Sequence, residues 1–239
     1  MTEKLYLNDA YLKECDSRIT GINEKGVILD RTVFYASGGG QPGDSGKIIF
    51  NNREFMVRDT VKEGDDVLHI VDNREMLEIE SQVRCLIDWE RRYIHMKYHG
   101  AIHLIDAVVN MNPDYEGLIT GSQIYDDKAR VDFSMENFSQ EIAQNVIDRT
   151  NSVINENHEI LVKYMPGEEA VKIKNLARTE PGRQLIQKLE TVRIVEIVGV
   201  DQQADGGTHV RNTSEIGTIL LQKIENKGKR NKRMYFTLE

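Results

Sequence analysis

The stretch WERRYIHMKYHGAIHLIDAVVN, residues 89–110, is where the character of the chain changes. Ile94, Ala101, Ile102, Ile105, Val108 and Val109 recur at helical spacing, which predicts a long and largely buried helix. Within that apolar run stand His99 and His103. Residues four apart on a helix share a face, with Cβ atoms ~5–6 Å apart, so the two imidazoles can chelate one ion. His95 extends the series by one more turn, but eight residues rise ~12 Å along the axis, too far for one ion to take all three.

On the N-terminal side the pattern is that of strands. GVILDRTVFY (26–35), GKIIFNNREFMVRDTV (46–61) and DDVLHIV (65–71) alternate or run apolar, and Asn51-Asn52 reads as a hairpin turn. Short strands at this spacing predict a small β-barrel or sandwich over residues 1–88. On the C-terminal side, residues 89–239 read as α+β with antiparallel sheet. LITGSQIY and KARVDFS are strands turning at Asp126-Asp127, and Ser139 caps the helix that follows. EILVKYM is a strand, EEAVKI a short helix and TVRIVEIVGV (191–200) a buried strand. Two closing strands flank a basic turn at Gly228.

A second candidate ligand pair lies in VDQQADGGTHVRNTSEIG, residues 200–217: a strand, a turn on Asp205-Gly206-Gly207, then His209. The Gly-Gly turn lets backbone fold closely around an ion. Two nitrogens from a helix with an oxygen and a nitrogen from a strand and turn make a credible zinc site.

The 239 residues are 39% hydrophobic and 29% charged, the profile of a soluble globular protein. No secretory signal or membrane span is read, and a cytoplasmic location is expected. Cys15 and Cys85 are too few for a disulfide framework, and neither lies near another ligand in the sequence. A net charge of −8 argues against indiscriminate nucleic-acid binding. Two basic clusters are candidates for local contact with a polyanion: Arg91, Arg92, His95 and Lys97, and the run QKIENKGKRNKR from Gln222 to Arg233.

HGAIHL followed about a hundred residues later by DGGTHVRNTSEIG resembles the HxxxH…CxxxH signature of alanyl-tRNA synthetase editing domains and their free-standing AlaX relatives. SGGGQPGDSG (37–46) is similar to that family's N-terminal glycine-rich motif, GLITGSQIY and RVDFS to its strands after the first helix, and VRIVEI to the strand before the second ligand pair. The resemblance covers nearly the whole chain. It implies an N-terminal β-barrel domain followed by a larger α+β editing domain of the threonyl/alanyl-tRNA synthetase second additional domain type. With no synthetase core in these residues, it implies a stand-alone, ATP-independent enzyme. Its substrate would be mischarged tRNA(Ala), from which it would release serine or glycine and spare alanine. Zinc would be held by His99, His103, Asp205 and His209. No stable protein partner is implied, and monomer or dimer stays open.

The departure from the family is Asp205, which stands where many relatives have cysteine. Either its carboxylate binds the ion directly, or it orients a ligand or water and leaves three histidines on the metal. The glycine-rich segment fails the GxxxxGK[ST] phosphate-loop pattern, because Gln41 and Ile48 stand in the wrong places. The resemblance makes Gly38, Gly39, Gly40 and Gln41 a substrate-binding loop over the editing pocket. It places Thr120 and Gln123 near the aminoacyl group, with Thr120 as a buried hydroxyl that reads a seryl side chain. Two rivals stand beside this reading: a non-catalytic tRNA-binding module with a decayed metal site, and a metal-dependent hydrolase of small amino-acid esters. The basic clusters speak against the last.

Overall fold

A computed structural model describes residues 1–112, 115, 118–178 and 180–239; Gly117, which opens the stretch GLITGSQIY, lies outside them. The chain separates into two compact units, Met1–Met96 and Lys97–Glu239.

In the first unit the strands are β1 (Glu3–Lys4), β2 (Glu14–Ile22), β3 (Gly26–Leu29), β4 (Arg31–Thr32), β5 (Gly46–Phe50), β6 (Arg53–Glu63), β7 (Asp66–Val71) and β8 (Gln82–Ile87). Six of them close a barrel in the order β2-β3-β7-β6-β5-β8, every neighbouring pair antiparallel. Closure removes the sheet edges, and the inward residues Ile19, Val27, Leu29, Phe34, Ile48, Phe55, Val57 and Val83 fill the interior. Asn51 and Asn52 take positive φ (49° and 60°), the conformation of a two-residue hairpin turn, as the sequence predicts.

The segment GVILDRTVFY is two strands and not one. Asp30 breaks it: its carboxylate accepts the backbone N–H groups of Arg18 (2.8 Å) and Arg31 (2.9 Å), a local bond that competes with the ladder. β2 escapes the sequence pattern because its inward face carries Cys15 and Ser17 ahead of the aliphatic Ile19.

The glycine-rich segment is a built turn. Gly38 and Gln41 exchange backbone hydrogen bonds (3.1 and 2.9 Å), and Gly39 and Gly40 between them have φ of 59° and 84°. Glycine adopts that conformation without a steric penalty. Tyr35 Oη donates to the Gly38 carbonyl (2.9 Å), and a Cβ at Gly43 would overlap the Thr60 carbonyl. The segment ends at Asp44, whose carboxylate receives the fully buried Arg92. Arg92 also donates to the carbonyls of Ala10 (3.0 Å) and Val33 (2.7 Å), and Arg91 donates to that of Gly43 (2.6 Å).

Helix α1 (Trp89–Met111) begins in this unit and continues into the second. The second unit adds β9 (Ile119–Ile124), β10 (Ala129–Phe133), α2 (Gln140–Asn155), β11 (Ile160–Pro166), α3 (Gly167–Ala170), α4 (Glu180–Ile186), β12 (Thr191–Ile197), β13 (Asp201–Ala204), β14 (Ile219–Gly228) and β15 (Asn231–Leu238). β14-β15-β10-β9 form one antiparallel sheet and β11-β12-β13 a second. Every α1 residue from Tyr98 to Val109 is buried, as the apolar spacing requires. Ser139 caps α2, its hydroxyl accepting from the Ile142 N–H (3.2 Å). α4 is not foreseen in the sequence; its proline falls in the first helical turn, where proline is tolerated. Among the described residues no helix is long and apolar enough to cross a membrane.

Both basic clusters need correction. Arg92 and His95 are fully buried, so the first cluster is mostly internal structure. In the second, Lys232 is buried and donates to Asn226 Oδ1 and the Gly228 carbonyl (2.8 Å each). Arg233 pairs with Asp132 (2.6 and 3.0 Å), and Lys223 and Lys227 share Glu225 (2.6 and 2.8 Å). Lys229 and Arg230 extend outward, and both lie beside Glu136 (3.8 and 3.0 Å).

His69 makes the barrel pH-sensitive. Its Nδ1 lies 3.2 Å from the Val27 carbonyl, which can only accept, so Nδ1 carries the proton and Nε2 accepts from Thr32 Oγ1 (2.8 Å). Burial lowers its pKa to about 4. Below pH 6.5 the unfolded chain therefore takes up a proton that the native barrel refuses. Stability present above pH 6.5 should be lost as pH falls toward 4, by about 3 kcal/mol from this group. Urea unfolding followed by Trp89, the sole tryptophan, which packs against the barrel core, should show that loss in the wild type. In His69→Gln the same pH change should cost correspondingly less; an equal loss in both proteins would assign the effect to other groups.

Candidate metal centre

α1 supplies His99 and His103 on one face, one turn apart, and the turn after β13 supplies Asp205 and His209. One donor atom from each of the four lies within 4.8 Å of the others. The ring centroids are 5.0 Å apart for His99–His103, 4.3 Å for His99–His209 and 4.7 Å for His103–His209. Asp205 presents one oxygen to each side: Oδ1 is 3.7 Å from His99 Nε2 and Oδ2 is 3.0 Å from His209 Nε2. Those separations bracket the ~3.3 Å edge of a tetrahedron whose metal–ligand bonds are about 2.0–2.1 Å. Two contacts hold Asp205: Gly207 N–H donates to the carboxylate Oδ2 (2.6 Å), and Arg193 Nη1 donates to the Asp205 backbone carbonyl (2.7 Å).

The protonation states suit a cation. Burial lowers His99 to about 4, against the pull of the Asp205 carboxylate, and burial with the neighbouring His209 holds His103 well below the ordinary imidazole range. Burial pushes Asp205 upward, but the imidazoles of His99, His209 and His103 outweigh it and hold the carboxyl well below its usual value. His99 and His103 are thus neutral and Asp205 ionised near neutral pH, the forms in which these groups bind metals. His209 turns Nε2 toward Asp205, and its buried Nδ1 has no hydrogen-bond partner among the described residues. The donor set and its surroundings fit a divalent metal ion.

Sequence reading missed the groups that hold these donors. Arg178 bridges Asp106 on α1 and Asp201 on β13; Asn110 Nδ2 and Gln203 Nε2 also donate to the two carboxylates (2.8 Å each). The signal was present. His99, His103, Asp106 and Asn110 form a polar stripe at spacings of four, three and four along a helix that is otherwise apolar there.

His95 is buried on α1 and is not part of the cluster. Thr120 differs from expectation. It is exposed, it is the extra residue of a β-bulge between β9 and β10, and its hydroxyl donates to the Asp132 carbonyl (3.3 Å). A bulge re-aims a side chain and is common beside functional sites. Gln123, half-buried, donates to the Ile124 carbonyl (3.1 Å). Gly38, Gly39, Gly40 and Gln41 form the turn of the first unit already described.

Gly207 tests the geometry without touching a donor. A Cβ there would overlap Cε1 and Nδ1 of His99 and crowd Asp205 Oδ2 (3.0 Å). Gly207→Ala should weaken divalent-metal binding by about 10- to 100-fold, the effect of disturbing a ligand's support, in competition with a chromogenic chelator. Wild-type affinity in this variant would show that the His99 ring has room to move.

Comparison with known proteins agrees with this architecture. Residues 6–91 match the class II (A) tRNA synthetase family, and residues 192–235 match the threonyl and alanyl tRNA synthetase second additional domain. The chain is 40% identical to the alanyl-tRNA editing protein AlaX-M of Saccharolobus solfataricus, over all of both chains. It is 34% identical to AlaX-L of Pyrococcus horikoshii, over 99% of this chain and 58% of that one. It is 32% identical to an alanine–tRNA ligase of Saccharolobus islandicus, over 94% of this chain and 25% of the ligase. The chain belongs to the AlaX family of alanyl-tRNA editing proteins.

Proposed function

We propose that the chain is an aminoacyl-tRNA deacylase that hydrolyses the ester of tRNA(Ala) mischarged with serine or glycine, with one zinc ion at His99, His103, Asp205 and His209. The observation that carries this reading is the convergence of those four donors in a chain 40% identical, end to end, to an alanyl-tRNA editing protein. In the reaction water adds to the ester carbonyl, the bond to the ribose oxygen breaks, and the free amino acid and tRNA leave. When bound, zinc supplies an electrophile for the carbonyl oxygen or an acidified water. The chain's own contribution is positional. His99 and His103 are rigid on a buried helix, and Asp205 is held by Gly207 and Arg193 so that Oδ1 stays available to the ion.

Thr120 is the proposed reader of the seryl hydroxyl. Its bond to Asp132 is long, at 3.3 Å, and can be exchanged for one to substrate. Gln123 on β9 and, in the first unit, Gly38, Gly39, Gly40 and Gln41 are each proposed to contact substrate. Thr120→Val should lower cleavage of seryl-tRNA(Ala) by roughly five- to a hundredfold while glycyl-tRNA(Ala) changes little, the cost of one lost hydrogen bond. Equal losses on both substrates would make Thr120 a support of the pocket.

The metal assignment and the rival non-catalytic reading are separated by one pair of measurements. His103→Ala and His209→Ala should lose both zinc, by elemental analysis, and seryl-tRNA(Ala) deacylation. Wild-type chain that binds tRNA but neither holds zinc nor deacylates would favour a binding module in which Asp205 marks a lost site. For tRNA contact, Lys229 and Arg230 are the exposed pair of the basic run. Reversing both to Glu should weaken tRNA binding and lower its log–log salt slope by about 2. An unchanged slope would place the tRNA elsewhere.

A further inference from the structure

Cys15 and Cys85 lie seventy residues apart in sequence and directly opposite each other in the barrel, as register partners of the antiparallel pair β2–β8. Two ladder bonds of this pairing, Ile87 N–H to Lys13 O and Ile19 N–H to Ser81 O (3.0 Å each), lie an even number of residues away on either side. They put Cys15 and Cys85 at a hydrogen-bonded position, where opposed Cα atoms are about 5.5 Å apart. That is the commonest separation for cysteines joined by a disulfide. Opposed residues also point to the same face. Cys85 Sγ donates to Ser17 Oγ (3.7 Å), and Cys15 Sγ lies 3.2 Å from the same oxygen. Both cysteines are free thiols, Cys85 fully buried and Cys15 half-buried.

The two are unlike in reactivity as well as access. The Cys85 S–H lowers the Cys15 thiol to about 7, against burial and with help from Ser17, the Val33 backbone and the Arg31 charge. Cys85 is pushed well above the ordinary thiol range by the same contact and by burial. An accessible, acidic thiol beside a buried partner is the arrangement of an attacking and a resolving cysteine.

We propose that Cys15 and Cys85 form a dithiol–disulfide site that reacts with small-molecule disulfides. The Cys15 thiolate attacks one sulfur of the reagent, forming a mixed disulfide and expelling one thiolate. Cys85 then loses its proton to solvent and attacks Cys15 Sγ, expelling the second thiol and closing the protein disulfide. The reagent is reduced by two electrons and the cysteine pair is oxidised by two. The bond joins β2 to β8, the strand that leads through Asp88 into α1, so it closes the barrel at the seam between its first and last strands.

The test is titration of the full native chain with oxidised glutathione, read by intact mass, free-thiol count and peptide mapping, with Trp89 fluorescence confirming that the barrel stays folded. Wild type should lose both thiols, retain no glutathione and yield a Cys15–Cys85 linked peptide that a reductant reverses. Cys85→Ser should stop at one glutathione on Cys15. Cys15→Ser should react at least about tenfold more slowly than Cys85→Ser, because the thiol left is buried and has a raised pKa. Two thiols still free in oxidised native wild type would overturn the proposal. So would glutathione retained on wild-type Cys15, or equal rates in the two single variants.

Discussion

The candidate metal ligands come from positions about a hundred residues apart, and one guanidinium holds those positions together. Arg178 is nearly buried and ion-pairs with Asp106, one turn beyond His103 on α1, and with Asp201 at the start of the strand that leads to Asp205. Burial raises the Asp106 carboxyl, and the Arg178 charge opposes that rise. Desolvating three charged groups is costly, so the network is a weak source of net stability. Its value is geometric. The planar guanidinium has donors in fixed directions, and satisfying two carboxylates at once leaves little freedom in how α1 sits against β13. An apolar replacement could fill the space but would not set that relation.

Two glycines then bring backbone close enough for the donors to converge. Gly207 lies where any side chain would strike the His99 ring. Gly100, between the two helix histidines, lets Ile216 pack against α1; a Cβ there would meet Ile216 Cδ1 at 3.1 Å. Glycine inside a helix costs about 1 kcal/mol relative to alanine. The cost falls on the turn of helix that packs against Ile216 and Val210, where an added Cβ would require Ile216 to shift by a few tenths of an ångström. Of the two glycines, Gly207 is the one that bears directly on the donors.

Much of this was readable from residue order because the relevant signals are local. Helical spacing over 89–110, the cap at Ser139, the Asn-Asn hairpin and the two four-residue ligand spacings each follow from a few neighbouring residues. What was not readable depends on partners distant in sequence. Arg92 looked like a surface cation, and only its meeting with Asp44, forty-eight residues earlier, makes it a buried tie. Lys232 and Arg233 looked like tail charges, yet they find acceptors on their own strand pair and on β10. Cys15 and Cys85 carried no local sign of each other, since barrel register alone makes them partners. Thr120 was expected to be buried, and the bulge that turns it outward depends on how β9 and β10 pair.

Aspartate at position 205 suits the same geometry. A thiolate offers one sulfur, and an ion would take it, leaving the Gly207 N–H with a weak acceptor in a buried turn. A carboxylate offers two oxygens. Here Oδ2 accepts the Gly207 N–H at 2.6 Å and faces His209, while Oδ1 faces His99. One side chain thus closes the Asp205-Gly206-Gly207 turn and still offers an oxygen to the candidate ligand set. A carboxylate is a harder ligand than a thiolate and would hold a borderline metal less tightly. In return the turn is ordered by its own hydrogen bond. A metal site whose shape is set by the chain in this way depends less on the ion to organise it than one whose turn is closed by the metal–sulfur bond itself.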